Sequence, residues 1–467
     1  MPPQLCKRWM LFTTIAACTL FISLSIISNP TLPKQAGLEK DLVKGGSVVY
    51  DDHNIPAKDE EKFMTFYPHS GLHNQRLSLI NAALIAKSLN RTLIIPEANI
   101  ATATFWKDSS DLPHKLDACP ELVTAHRKME KELGQRVHLP SECFDYRKYI
   151  PISFDDAFDL SPLTNIGVRY SMRNNMHHSY FQGTPLNIPY DETNRTLVYE
   201  IPDYQRYSYR IYYSEHDNQP LQNFERRLDL IELQRRSEKL IIFNSLFGSN
   251  RLALDSENTE TKKYLQQSIK ITHPVVDSRA DKVIAQLGGE RRYISAHIRS
   301  GDGMFKEHIV DTIDQIVSKL SDAVDMENDT TDSVTWQELR KLQLARSTSS
   351  IATLLERCVQ LQLQRGKVTT LFMATDSHHP REDPNMRALF DQFVCAFTLS
   401  DFPDIIPSIN VKSPRDNRTD ISSLLIPLVD ASIASAGNDF VGTPKSTFSG
   451  YVKNRQLAMT RFLSDGV

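Results

Sequence analysis

The segment from residue 63 to residue 96 leaves this chain few folds to choose from. Phe63-Met64-Thr65-Phe66-Tyr67 is a short apolar run of strand type, and Pro68-His69-Ser70-Gly71-Leu72-His73 is a turn built around a proline and a glycine. Asn74-Gln75-Arg76 then opens a helix running to about Leu89, with Asn74 placed to cap it. Leu77, Ile80, Ala83, Leu84, Ala86 and Leu89 leave that helix few exposed positions, so it is expected to be buried on most sides. Thr92-Leu93-Ile94-Ile95 is the next strand. Strand, turn, helix and strand in this order form a βαβ unit, which requires a parallel sheet covered by helices. A glycine turn feeding a helix start is also a potential phosphate or sugar site. No Gly-x-Gly-x-x-Gly is present there, so a nicotinamide dinucleotide is not indicated.

The same grammar returns in the second half. From Tyr293 the residues alternate, with Ile294, Ala296 and Ile298 on one face and Ser295, His297 and Arg299 on the other, until Ser300-Gly301 breaks the run. His297 and Arg299 therefore stand at the carboxyl end of a strand, where open α/β sheets bind ligands. Residues 351–365 read as an amphipathic helix, residues 368–374 as a strand ending in Thr375-Asp376-Ser377, residues 385–397 as a helix and residues 421–436 as a helix with an apolar face. Asp439-Phe440-Val441-Gly442-Thr443 is a short strand and turn, and Ser446-Thr447-Phe448-Ser449 opens a final helix. Two other stretches lack a clear period. Residues 101–239 are irregular and rich in Tyr, His, Pro and charge; they end at the buried strand Leu240-Ile241-Ile242-Phe243. Residues 304–350 read as a charged surface excursion. The acidic run Phe154-Asp155-Asp156-Ala157-Phe158-Asp159 reads as a solvated turn, and no metal site is expected.

The amino terminus bears on compartment. Lys7-Arg8 precede an uncharged apolar run over residues 9–27, long enough to cross a bilayer with the leading end in the cytosol. A cleaved signal peptide competes with a retained anchor; no Ala-x-Ala site follows the run, which favours the anchor. The expected division is a cytosolic tail at 1–8, a span at 9–27, a polar stem at 28–61, a first doubly wound domain at 62–272 and a second at 273–467. Four cysteines lie beyond the run, an even number that suits an oxidising lumen. Three connectivities are open, and Cys119 with Cys143 and Cys358 with Cys395 keeps each bridge inside one domain. Asn90, Asn194, Asn328 and Asn417 head Asn-x-Ser/Thr acceptor sequences, with Asn90 the least accessible by its place in a tight connection. Lys and Arg number 54 against 57 Asp and Glu, a balance that gives no ground for a nucleic-acid partner.

Arg299, Asp376 and Ser446-Thr447-Phe448 together describe a nucleotide diphosphate pocket. The arginine fork grips the diphosphate, the helix start at Ser446-Thr447 completes its shell, and an aspartate suits two adjacent N–H donors of a guanine. Each residue also has a plainer reading, since Asp376 and Ser446-Thr447 could each cap a helix. Four motifs occur in fixed order: Gly71-Leu72-His73-Asn74-Gln75-Arg76, His297-Ile298-Arg299-Ser300-Gly301-Asp302, Ala374-Thr375-Asp376, and Gly442 through Ser446-Thr447-Phe448. On these residues the chain resembles the GDP-fucose protein O-fucosyltransferase superfamily, from Phe63 to Arg461.

The resemblance implies an α/β fold of GT-B type, two doubly wound Rossmann-like domains facing a cleft, preceded here by the transmembrane helix and stem. It implies inverting transfer of fucose from GDP-fucose, without a required cofactor, to a hydroxyl of a protein or glycan acceptor in the Golgi or endoplasmic reticulum lumen. Arg299 would bind the β-phosphate and stabilise the departing GDP, with His297 beside it. Asp376 would contact guanosine, Ser446, Thr447 and Phe448 would line the diphosphate and base, and Gly71 and Asn74 would face the sugar. The first turn holds no carboxylate, which leaves His69 and His73 as candidate bases, while Arg76 is given no catalytic role. Two alternatives stay open: a related transferase using another nucleotide sugar, and a sugar-nucleotide-binding protein without turnover.

Overall fold

The computed structural model describes residues 61–134, 138–183, 186–189, 196–301, 303–324, 333–345, 350–365 and 370–464. The expected tail, span and all of the stem but Glu61, together with Asn194, Asn328 and Asp302, lie outside the described residues. Among the described residues no helix is long and apolar enough to cross a membrane.

The βαβ unit forms as read. Phe63–Phe66 and Thr92–Ile95 pair in parallel, and the helix between them, Leu72–Leu89, buries an unbroken run from Ser78 to Ala86. Its cap differs from expectation. Gly71 occupies the cap position and its carbonyl accepts from the N–H groups of Asn74 (2.9 Å) and Gln75 (3.1 Å), so Asn74 sits inside the first turn. The sheet is all parallel, in the spatial order Tyr170–Met172, Thr92–Ile95, Phe63–Phe66, Leu240–Phe243, Val198–Ile201. The order reverses direction between Phe63–Phe66 and Leu240–Phe243, which opens a crevice at their carboxyl ends.

The second sheet is also parallel, in the order Ala396–Phe397, Leu371–Thr375, Ile294–Ile298, Asp439–Gly442. Its reversal point lies between Ile294–Ile298 and Asp439–Gly442, which puts Arg299 and Thr443 at the crevice. Both expected doubly wound sheets are therefore present. The alternation read along residues 294–298 does not mark a wet face, since all five residues are buried. The polar ones are satisfied inside: the Ser295 hydroxyl donates to the Ala434 carbonyl at 2.7 Å, and His297 Nδ1 pairs with the Ser449 hydroxyl at 2.8 Å.

Several segments hold more order than their composition suggested. Residues 101–239 contain the helix Leu112–Leu133, tied down by the Cys119–Cys143 disulfide, and the strands Tyr209–Tyr212 and Arg226–Asp229, which form a small parallel sheet with Leu252–Ala253 from beyond that segment. Residues 304–350 contain Ile309–Val324, whose Ile309, Ile313, Ile316 and Leu320 recur at helical spacing and are buried. The helix expected at 385–397 is only Arg387–Gln392, because the chain turns into the strand Ala396–Phe397. The second disulfide joins Cys358 and Cys395, so both bridges match the preferred pairing. Asn90 is exposed at the left-handed end of Leu72–Leu89, which corrects its reading as inaccessible; Asn417 is exposed too.

The two halves are bound together in two places. Helix Thr447–Ser464 packs back against Ser256–Ser268 and Leu72–Leu89 of the first half. On the far side Arg415 pairs with Glu97 and Glu121, and Arg418 pairs with Glu132 at 2.7 Å.

Candidate functional site

Arg299 leaves the end of strand Ile294–Ile298 at the reversal point, its N–H donating to the Thr443 hydroxyl at 3.0 Å. Its guanidinium Nε lies 3.3 Å from Asp376 Oδ2, and both side chains remain partly exposed. Asp376 also receives the Ser300 N–H (2.7 Å) and hydroxyl (2.9 Å) on Oδ1 and the Gly301 N–H (3.1 Å) on Oδ2. The two N–H donors it faces are thus those of its own chain, and it moulds the loop after Arg299 instead of capping a helix. Glycine at 301 follows from this, since a Cβ there would come within 2.8 Å of the carboxylate.

His297 lies flat against Phe448, ring centroids 4.2 Å apart at 25°. Burial pushes its imidazole down to about 3, so it is neutral at ordinary pH. Phe448 also meets the edge of His73 at 5.5 Å, and His73 stacks on Tyr451 at 4.8 Å. This stack joins the first glycine turn to the last helix and separates two cavities.

The first cavity, of about 450 Å³, is lined by His297, Arg299, Asp376 and Phe448 together with part of helix Ser422–Ser435. Asp430 of that helix is a lining residue missed by the sequence reading. Its Oδ1 is buried with no hydrogen-bond partner among the described residues, and burial pushes its carboxyl well above the usual carboxylate range. The signal was available: Asp430 is a lone acid in the run Leu424-Leu425-Ile426-Pro427-Leu428-Val429-Asp430-Ala431. Pro427, also on the wall, lacks the N–H that would close its turn onto Ser423.

The second cavity, of about 470 Å³, lies between the halves. His73, Asn74 and Arg76 line it from the first half, and Ser446, Thr447 and Tyr451 from the second. The expected set is therefore divided: His297, Arg299, Asp376 and Phe448 on one side of the stack, Asn74, His73, Ser446 and Thr447 on the other. Gly71 and His69 line neither cavity. A methyl group at Gly71 would meet only the Ala103 Cβ, at 4.0 Å, so packing does not require glycine there.

Neither candidate base has the near-neutral titration that reading relied on. His69 is buried with Nδ1 on the Ser70 hydroxyl (2.9 Å) and Nε2 on the Ser245 hydroxyl (2.7 Å), bridging the reversal point of the first sheet. Burial, reinforced by Arg251 and Arg206, pushes it down to about 3. His73 is likewise pushed down to about 3 by burial, then by Arg76 and His297, and its Nδ1 has no partner among the described residues. Arg76 is structural: its guanidinium donates to the carbonyls of Ile269 and Gln266 and lies 4.9 Å from the Tyr451 ring centroid. Among the described residues no group of His, Cys, Asp and Glu could hold a metal ion.

No family model matches the chain. Over 105 residues it is 31% identical to O-fucosyltransferase 1 of Arabidopsis thaliana, a stretch covering 21% of this chain and 20% of that relative. The chain thus matches about a fifth of the curated relative's length, and over that stretch it is O-fucosyltransferase-like. Among solved structures it is similar to POFUT1 in complex with GDP, at 14% identity and a TM-score of 0.39, covering 85% of this chain and 95% of that one. It is also similar to the fucosyltransferase NodZ from Bradyrhizobium, at 14% identity and a TM-score of 0.36, covering 84% and 93%.

Proposed function

We propose that this chain belongs to the O-fucosyltransferase-like glycosyltransferases, has their GT-B architecture, and moves fucose from GDP-fucose to an acceptor hydroxyl. The observation that carries the reading is the first cavity, which is lined both by the Arg299 fork and by Asp430, whose Oδ1 has no hydrogen-bond partner among the described residues. Those are the two groups a guanosine diphosphate needs: a carboxylate for the N1–H and N2–H edge of the base, and a planar cation for the phosphates. Asp430 takes over the base-reading role first given to Asp376. Asp376 acts one step back, by holding Arg299 and the Ser300-Gly301 amides in place.

The diphosphate lies across Arg299 toward the start of helix Thr447–Ser464, where free N–H groups and the hydroxyls of Ser446 and Thr447 favour negative charge. Fucose then points to Asn74, while Gly71, which lines neither cavity, is left without the sugar contact first given to it. Transfer breaks the bond between the anomeric carbon and the β-phosphate oxygen, whose new charge Arg299 takes up. The acceptor oxygen adds to the opposite face with inversion, and its proton is released to solvent water. Such preorganised stabilisation of a leaving group is worth several kcal/mol, on the order of 3, and asks for no resident cofactor. The apolar run at residues 9–27 and the two disulfides support a type II membrane protein with this site in the lumen of the Golgi or endoplasmic reticulum.

Isothermal titration of the purified chain with GDP, ADP and UDP, and assay of GDP release from GDP-fucose, GDP-mannose and UDP-rhamnose, test the reading. GDP is expected to bind at least tenfold tighter than ADP or UDP, and GDP-fucose to be the donor consumed. Equal binding of the three diphosphates would overturn the base assignment. GDP binding without release from any donor would leave a sugar-nucleotide-binding protein.

A further inference from the structure

The second cavity has a chemical character that the donor does not use. On the first-half side its wall is aromatic: Tyr207 and Phe247 lie with ring centroids 6.5 Å apart at 40°, and Arg206 packs 5.7 Å and 5.4 Å from the two rings. Around them stand five carboxamides, of which Asn223 and Asn250 are exposed and have no side-chain partner among the described residues. Among the described residues no carboxylate lines the cavity. Of its cations, Arg76 is committed to two backbone carbonyls, and Lys445 belongs to the loop entering the helix assigned above to the diphosphate.

Flat aromatic faces beside uncharged groups that both donate and accept match one ligand chemistry well. A pyranose presents an apolar C–H face and a rim of neighbouring hydroxyls, each a donor and an acceptor at once. Carboxamides answer that rim in both senses, whereas a carboxylate or ammonium answers only one. Size points the same way. About 470 Å³ is in the range of small-ligand pockets, while a folded protein acceptor is held by a surface of roughly 800 Å² per partner. Fucose reaching Asn74 from the donor side would arrive in this same cavity.

We propose that the second cavity binds a neutral oligosaccharide, stacked on Tyr207 and Phe247 and hydrogen-bonded by Asn223 and Asn250, and that this glycan is the acceptor. Its role as acceptor rests on the transferase reading above; its binding does not. Uncharged sugar is specified because, of the two cations that line the cavity, Arg76 is held by backbone carbonyls and Lys445 enters the helix assigned to the diphosphate, which leaves carboxamides and hydroxyls to meet the ligand.

Saturation-transfer NMR on the full chain with GDP present tests this directly. The panel is short gluco-, galacto-, manno-, xylo- and N-acetylglucosamine oligomers, a galacturonate trimer, and an unglycosylated peptide containing Ser and Thr. One or more neutral oligomers are expected to bind, and the trimer and peptide are not. Tyr207→Ala is expected to weaken that binding at least tenfold, Tyr207→Phe to retain it, and Asn223→Ala with Asn250→Ala to weaken it about tenfold, with melting curves confirming that each variant folds. Binding of no neutral oligomer, preference for the galacturonate or the peptide, or wild-type binding by Tyr207→Ala would each overturn the proposal. GDP release from GDP-fucose is assayed on the same protein preparations without added GDP. Neutral-sugar binding that depends on Tyr207, without GDP release, would uphold the cavity's ligand and refute the fucosyl reading.

Discussion

Replacing Asp430 by leucine should make the protein more stable and a worse binder at once. In the unliganded fold the carboxyl is buried with Oδ1 unpartnered, and such a group costs roughly 1–3 kcal/mol. Leucine removes that cost in a helix already packed through Leu425, Leu428 and Val429. The melting temperature should rise by on the order of 2 °C per kcal/mol recovered. Binding moves the other way. Where the carboxyl is ionised, two charge-assisted hydrogen bonds to the base edge, at about 1.5 kcal/mol each, amount to about 3 kcal/mol, or roughly a hundredfold in Kd for GDP, less whatever releasing the proton costs below the folded-state value. The stability gain also has a pH signature. Burial raises the Asp430 carboxyl, so the folded chain holds this proton to a higher pH than the unfolded chain, which releases it near 4. Wild-type stability contributed by that proton is present below this value and is lost as pH climbs through the folded-state value. The leucine variant has no such loss, so its advantage should widen from pH 5 toward pH 8. Differential scanning fluorimetry across that range, with GDP titration calorimetry at pH 7, reads both effects. A lower melting temperature with unchanged GDP affinity would refute the reasoning, because it would make Asp430 a structural residue.

Arg299→Lys should lower kcat by about a hundredfold or more, measured as GDP release at saturating donor, since an ammonium cannot reproduce the fork that meets both Asp376 and the phosphate. Gly301→Ala should weaken GDP binding with little change in melting temperature, because its Cβ displaces the Asp376 carboxylate at an exposed loop; GDP titration checks it. The pH–rate profile of GDP release should show no histidine inflection between pH 6 and 7.5, as His69, His73 and His297 are all pushed down to about 3, and a proton step there lost in His73→Gln would contradict this. Cys119→Ala with Cys143→Ala should cost about 3 kcal/mol for a loop of 24 residues, read by urea denaturation.

The elements legible in the sequence are those whose period and punctuation agree. Residues 63–96 and 294–298 combine apolar runs with turn residues, and the strands lie where they were read. What escaped was held by distant partners. Leu112–Leu133 carries an internal proline and many charges, so its helical period is weak, and its placement depends on the disulfide and on strands far along the chain. Ile309–Val324 was hidden by the acidic residues around it, although Ile309, Ile313, Ile316 and Leu320 keep a helical spacing. At the site, the motif residues were visible, but their division between two cavities was not, because the stack of His297, Phe448, His73 and Tyr451 joins positions from 73 to 451. Asp376 and Asp430 show the difference most clearly: both are acids on buried elements, and only the neighbours of each reveal which is already occupied.

The return of helix Thr447–Ser464 onto Ser256–Ser268 has a consequence for biosynthesis. Roughly 180 residues separate the end of the earlier helix from the start of the later one. At a ribosomal pace of about 5–20 residues per second, the nascent first half waits some 10–40 s before the element that covers it has been made. During that interval its apolar surface is bare, and a chaperone that shields it would raise the yield of folded protein without touching either cavity.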